Sequence, residues 1–474
     1  MAATVDEQNG CPHCAERDRR IADLESRLAQ IEAELAKARK NSGNSSKPPS
    51  SDIVRPLAKS TGKAGRPRRR KRGAQPGHPR HLRTPFAPES IDRVVQYRYD
   101  ACPCCGGRLR DAMQPPKIQQ HVELAPKPVV IEEHRQIAQF CRRCQQVFYH
   151  PLAITLQKAG LCGSQLTALV GFLKGACHMS FSTIRKFFRD VMQVPISRGQ
   201  LAKLVRKVSD SLGPAYADLL DRLPSEDWLN VDETGHKDSG KRLWTWCFRA
   251  AMYTVFKVSP SRGSDVLLEV LGRDFAGLLG CDYFSAYRKY ARLNENVLLQ
   301  FCLAHFIRDV KFLVEHPDPR NRTHGERLLT HLRKLFTTIH RRDQYASEET
   351  FRRALERIEY DLVWDATVES PGTTEAQNLE ERFYNHTESY FRFIVHPEIE
   401  PTNNLAEQVL RFVAIHRRIT QGTRGEAGQR WWERICTVIA TCAQQARSVY
   451  HFLCEAISQY FADEPSPLLA PLGP

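Results

Sequence analysis

One stretch limits the architecture more than any other. In Trp228-Leu-Asn-Val-Asp232-Glu-Thr234 an apolar run leads to a carboxylate. The turn-like Gly235-His-Lys-Asp-Ser-Gly240 and a second run, Arg242-Leu-Trp-Thr-Trp-Cys-Phe248, follow it. Two such runs around a Gly/Asp/Ser segment predict a β-hairpin, with Asp232 at the end of its first strand. A third apolar run, Met252-Tyr-Thr-Val-Phe-Lys-Val258, precedes a Ser/Arg/Gly turn and a short helix-forming stretch at 266–271. A fourth, Gly277-Leu-Leu-Gly-Cys-Asp282, again ends on an aspartate. Far downstream, Pro401-Thr-Asn-Asn-Leu-Ala-Glu-Gln-Val-Leu-Arg411 opens a helix that carries Glu407. Asn403 or Asn404 is placed to cap that helix and fix where the carboxylate points.

Two aspartates at strand ends and one helical glutamate form a hard-oxygen donor set of the kind that Mg²⁺ or Mn²⁺ takes. Two such ions, held about 3.5–4 Å apart, serve displacement at phosphorus, where negative charge accumulates. A single acid is ordinarily a solvated surface group. The three become a site only if folding brings them together.

The words around these acids are more specific. Val231-Asp-Glu-Thr-Gly235, Lys241-Arg-Leu-Trp244, Ser259-Pro-Ser-Arg-Gly263, Asp282-Tyr-Phe-Ser-Ala-Tyr287, Ala304-His-Phe-Ile-Arg308 and Asn403-Asn-Leu-Ala-Glu407 occur in this order. Together they resemble the catalytic domain of the IS66 family of bacterial insertion-sequence transposases, and the resemblance extends over most of the chain. It implies an RNase H-like core with a DDE triad at Asp232, Asp282 and Glu407. It also implies divalent-metal-dependent cleavage and strand transfer at the ends of the element. In the family, the long interval between the second and third acids holds a helical insertion. Here 297–393 is rich in helix formers with few turn signals. Tyr283 stands where the family often has Gly, and Gln408 where Arg is common. Neither change removes a metal ligand. His305 and Arg308 belong to a family word, although a helical His is more often structural.

The formal net charge of +15 points to a polyanionic partner. The charge is concentrated: Arg66, Arg68, Arg69, Arg70, Lys71 and Arg72 form a block with no acid between Asp52 and Glu89. Such a block cannot fold on itself, and DNA phosphates are its obvious target. Fifteen cysteines raise the question of disulfides. The first residues lack a signal-peptide pattern and no apolar run is long enough to span a bilayer. A bacterial cytoplasmic protein acting on chromosomal DNA is therefore expected, and paired Cys-x-x-Cys spacings there favour zinc. Cys102-Pro-Cys-Cys105 and Cys141-Arg-Arg-Cys144 read as two knuckles of a structural Zn²⁺ site, with strands expected at 118–130 and 132–140. Cys11 and Cys14 form a lone pair that cannot close a site by themselves.

Near the N-terminus, Ile21, Leu24, Leu28, Ile31 and Leu35 repeat at heptad spacing, the seam of a two-stranded coiled coil and hence of a homo-oligomer. A Ser/Asn/Pro linker follows. Three short helices are expected across 164–207, and the middle one presents Arg185 and Lys186. They suit either a helix-turn-helix on the element's terminal repeats or a bundle that props the core. His416, Arg417 and Arg418 beyond Glu407 are candidate phosphate contacts, whereas Trp431 and Trp432 should pack internally.

The expected chain is thus a multidomain α/β protein: coiled coil (1–40), basic linker (41–90), zinc ribbon (91–155), helical DNA-binding region (156–222), and an RNase H-like core (223–296 and 394–462) interrupted by a helical insertion (297–393), with a frayed tail (463–474). Its partner would be double-stranded DNA, with small companion proteins as in related elements. The alternative is a non-catalytic, zinc-containing DNA-binding derivative.

Overall fold

A computed structural model describes residues 12–40, 85–110, 116, 118–125 and 128–469. The basic block from Arg66 to Arg72, most of the linker and Cys11 lie outside these residues. The chain divides into two units, 55–134 and the remainder.

The larger unit is built on a five-stranded sheet: β3 (Trp228–Asp238), β4 (Lys241–Arg249), β5 (Thr254–Ser259), β6 (Leu278–Cys281) and β7 (Leu298–Phe301), in the order β5-β4-β3-β6-β7. β3, β4 and β5 form an antiparallel meander, while β6 and β7 run parallel to β3. Burial explains the near-continuous apolar character of the central strands: Leu278 to Cys281 are all buried. The β3–β4 hairpin is longer than expected. The segment 235–238 continues β3, and the turn is Ser239-Gly240, both at positive φ (48° and 84°). Asp232 is therefore mid-strand rather than at a strand end. The polar residues of this extension are stabilised by cover: His236 is buried between Thr245 (3.1 Å) and Thr423 (2.9 Å).

The helices of this unit are α1 (Pro12–Ala38), α2 (Ile154–Ala159), α3 (Ser164–Gly175), α4 (Phe181–Asp190), α5 (Arg198–Ser211), α6 (Gly213–Arg222), α7 (Ser264–Leu271), α8 (Ser285–Leu293), α9 (Leu303–Val314), α10 (Pro319–His340), α11 (Glu348–Thr367), α12 (Thr374–Phe391), α13 (Asn404–Thr420), α14 (Gly425–Gln444) and α15 (Val449–Ala462). α9–α12 form the expected helical segment, but it begins after β7, which belongs to the sheet. α3 and α5 pack against α14 and α15, so the helical region before the sheet and the helices at the end of the chain share one core. The residues beyond α15 are docked as far as Leu469, which is fully buried and accepts a hydrogen bond from Gln445 Nε2 (2.7 Å). The expectation of a frayed tail fails for 463–469.

α14 resolves the sheet's edge. The exposed side of β5 carries N–H groups at alternate residues, a template for unwanted pairing. Val258 N donates to Glu433 Oε1 (2.8 Å), Phe256 N to Thr437 Oγ1 (3.0 Å) and Thr254 N to Thr441 Oγ1 (3.2 Å). Four residues of helix rise about 6 Å and two residues of strand about 6.7 Å, so an i, i+4, i+8 stripe keeps step with alternate strand residues.

Within α1, Ile21, Leu24, Leu28, Ile31 and Leu35 are 45–62% exposed, a seam without cover in the single chain. Its last turn and the residues just after it engage the helical segment, through Lys37–Glu375 (3.3 Å) and Lys40 over the Phe312 ring (3.9 Å). Among the described residues of the cysteine-rich region, strands form at β1 (Ala138–Cys141) and β2 (Gln146–Tyr149), a hairpin around Cys141–Cys144. The expected strand at 118–130 is absent from the described residues.

Candidate active site

The site grows from strand register. β3 pairs with β6 as Trp228↔Leu278, Leu229↔Leu279 and Asn230↔Gly280. Two residues further along each chain lie Asp232 and Asp282, side by side just beyond the carboxyl end of the parallel pairing. In open α/β sheets that is where ligands bind. Each aspartate is locally anchored: Asp232 Oδ1 accepts from Glu233 N (2.8 Å) and Asp282 Oδ1 from Phe284 N (2.9 Å).

Glu407, in the first turn of α13, arrives through Asn403. This buried side chain does not cap the helix as expected. Instead Asn403 Nδ2 donates to Val231 O (2.8 Å), and Asn403 Oδ1 accepts from Asn230 Nδ2 (3.0 Å). Helix α13 is thereby riveted to the strand that carries Asp232. The capping rule could not reveal this, because the Asn side chain binds across 172 residues of sequence.

Partial burial pushes the Asp232 carboxyl well above its usual range, and Glu233, Asp282 and Glu407 add to the effect. The three acids are thus electrostatic neighbours. Mutual repulsion of this kind is what a bound cation would relieve, although among the described residues the three acids do not all bring their carboxylate oxygens within 4.8 Å of one another. Glu407 also lies 3.5 Å from His305 Nδ1 and 3.4 Å from Arg308 Nη2.

Beneath the acids is a network that inspection of the motifs missed. Glu233, buried, accepts from Arg262 Nη2 (2.6 Å) and from the Tyr287 hydroxyl (2.5 Å). Burial and nearby Asp282 push its carboxyl up to about 7, with Arg262 and Tyr287 pulling the other way. The Arg262 guanidinium lies over the rings of Phe284 (4.0 Å) and Trp244 (4.7 Å). The available signal was that Glu233 and Tyr287 share sequence words with Asp232 and Asp282, and that Arg262 lies in the word between them, Ser259 to Gly263.

The other candidates separate. Arg185 and Lys186 are exposed on α4. His416 is buried and stacked on Trp432 (3.8 Å between rings), and Arg417 donates to Gly235 O. These two are structural rather than free to meet phosphate; Arg411, Arg418 and Arg424 remain exposed. Trp431 and Trp432 are buried, as expected. Each cysteine knuckle forms its own turn. Gly106 N donates to Cys102 O (2.9 Å) and Gln145 N to Cys141 O (2.8 Å). N–H groups of Cys104 and Cys105 lower the Cys102 thiol pKa, and those of Cys144 and Arg143 lower that of Cys141.

The sheet is mixed, with Asp232 and Asp282 just beyond the end of its parallel β3–β6 pairing. Residues 159–430, more than half of the chain, match the family described as Transposase IS66 family. The protein belongs to that family. Residues 14–84 match a family of unknown function (DUF6444). A curated relative, described as an uncharacterized protein, y4qI, of Sinorhizobium fredii (strain NBRC 101917 / NGR234), is 22% identical over 307 residues. That match covers 59% of this chain and 56% of the relative's length. No helix among the described residues is long and apolar enough to cross a membrane.

Proposed function

We propose that this IS66-family chain is a DDE transposase with an RNase H-like core, which cleaves the ends of its element and joins them to target DNA. The observation that supports this is placement: Asp232 and Asp282 lie just beyond the paired ends of β3 and β6, and Asn403 ties the helix that carries Glu407 to β3. Asp232 and Asp282 would hold two Mg²⁺ or Mn²⁺ ions between them, and Glu407 would complete the set. When bound, such ions neutralise charge developing at phosphorus and lower the pKa of water. The chain's own part is to orient. Glu233 and Tyr287 fix Arg262 against two aromatic rings, on the next strand-to-helix connection. Cleavage would free a 3′-hydroxyl that attacks target DNA in line, so no Ser or Tyr nucleophile is assigned.

The Arg66–Arg72 block, with Arg185 and Lys186 on α4, would contact double-stranded DNA in the bacterial cytoplasm. Cys102, Cys105, Cys141 and Cys144 would hold a structural Zn²⁺, the lowered thiol pKa values at both knuckles supporting thiolate ligation. The uncovered α1 seam supports pairing with a second copy, and small companion proteins would join the assembly. The non-catalytic alternative is disfavoured by retention of all three acids.

The test is cleavage of a duplex bearing the element's end. Wild-type protein should nick it with Mg²⁺ or Mn²⁺, and Asp232→Asn, Asp282→Asn and Glu407→Gln should not. Undiminished nicking by wild type in excess chelator would refute the proposal.

A further inference from the structure

A second donor set meets Glu407 from the other side. Cys302 Sγ, a ring nitrogen of His305 and a Glu407 carboxylate oxygen lie within 4.8 Å of one another. Their convergence is built in. Cys302 is the residue before α9 and His305 lies in its first turn, while Glu407 lies in the first turn of α13. The starts of the two helices are tied by Leu303 N to Pro401 O (2.9 Å) and Asn403 N to Cys302 Sγ (3.1 Å).

Two atoms at this junction call for a ligand. His305 Nδ1 and Glu407 Oε1 face each other at 3.5 Å, both shielded from solvent, and neither makes a hydrogen bond. Arg308 engages the other oxygen, Oε2. Buried polar atoms left without partners in this way commonly mark a missing water or ion. Tetrahedral bonds of about 2.0–2.3 Å place neighbouring donor atoms roughly 3.3–3.8 Å apart, close to the observed His–Glu separation. A thiolate, an imidazole and a carboxylate are the donor types of three-ligand zinc sites that leave a fourth position open. Sulfur disfavours Mg²⁺ and favours softer ions.

We propose that Cys302, His305 and Glu407 bind a Zn²⁺-class ion at a site separate from the all-carboxylate one but sharing Glu407 with it. A consequence, which rests on the DNA-cleavage reading above, is competition: Glu407 held by Zn²⁺ is withdrawn from the two aspartates, and Mg²⁺-supported cleavage slows.

Binding is tested with Co²⁺ as the spectroscopic probe on the full-length protein. Because other cysteines also take Co²⁺, the readout is the difference between wild type and Cys302→Ala. Wild type should bind one further equivalent, with a thiolate-to-cobalt charge-transfer band in the difference spectrum. His305→Ala should weaken that uptake at least about tenfold. Cys302→Ser, which preserves volume, replaces Cys302→Ala if the latter is unfolded by circular dichroism. Equal stoichiometry and superimposable spectra for the folded proteins overturn the site, whether or not the chain cleaves DNA. In the second arm, micromolar Zn²⁺ should inhibit wild-type cleavage but not the Cys302 variant, each relative to its own zinc-free rate. Equal zinc sensitivity contradicts the sharing of Glu407. Normal cobalt uptake by a protein that never cleaves DNA would uphold this site and break the catalytic reading instead.

Discussion

The sheet region and the cysteine-rich region represent opposite ways of holding a chain together. In the first, Leu229 to Val231 of β3 and all of β6 are buried, and even the polar side chains Asn230, Glu233, His236 and Asn403 are sealed inside. In the second, none of the described residues between 85 and 150 is buried, and Val94, Tyr97, Val122 and Phe140 lie exposed. Two knuckle turns, one short hairpin and a few side-chain hydrogen bonds, such as Gln120 to Phe86, order it. A segment that buries so little apolar surface cannot offset its conformational entropy by packing alone. Structural metal is the usual substitute, because binding free energy then becomes folding free energy. The sheet region is held by burial and hydrogen bonds; on the zinc proposal, the cysteine-rich region would be ordered by metal binding.

The contrast can be broken in four places. The largest effect should come from the acids: Asp232→Asn, Asp282→Asn or Glu407→Gln should lower cleavage by about a thousandfold or more, while DNA retention in a gel-shift assay is maintained. Next, chelation of Zn²⁺, or Cys141→Ser, should make residues 85–150 sensitive to limited proteolysis within the intact chain while the sheet region stays resistant. Uniform resistance would mean that the knuckles need no metal.

A smaller effect is expected at the rivet. Asn403→Ala leaves Val231 O and the Asn230 amide without partners in a buried setting, a loss of about 1–3 kcal/mol in denaturant unfolding. It should also lower cleavage about 10–100-fold by releasing Glu407, the scale seen when outer-shell partners of metal ligands are removed. Asn403→Ala with unchanged cleavage would show that α13 is positioned by packing alone. The smallest effect concerns acid. Burial, with Lys174 and His178 nearby, depresses His416 to about 3, and burial depresses His236 to about 4. Both are neutral in the folded protein but take protons when unfolded. Their contribution is present above the ordinary histidine range and is lost as pH falls from about 6.5 toward 4. His416→Gln should flatten that part of the stability profile, read as Tm against pH.

The strands were legible because each is a short apolar run bounded by turn residues, and the two aspartates because each follows such a run. Their pairing was not, since it depends on the register of two strands separated in sequence by β4, β5 and α7. Asp232 proved mid-strand because 235–238, polar and turn-like in sequence, is covered by Thr423 and Arg417 from 180 or more residues away. Asn403 was read as a cap because local rules see only neighbours in sequence. The fifth strand, Leu298–Phe301, was absorbed into the helical segment because four apolar residues carry no period that separates strand from helix. In the range 118–130, where the apolar composition suggests a strand, Ile118, Val122, Leu124 and Val130 are exposed.

The most direct measurement is Mn²⁺ binding, followed by electron paramagnetic resonance, to full-length protein on an element-end duplex. Wild type should take up two Mn²⁺ with the dipolar signature of neighbouring ions, and Asp282→Asn should lose that signature while still binding the duplex. Indistinguishable manganese uptake and spectra for wild type and the Asp232→Asn/Asp282→Asn double variant would show that these carboxylates do not hold the ions.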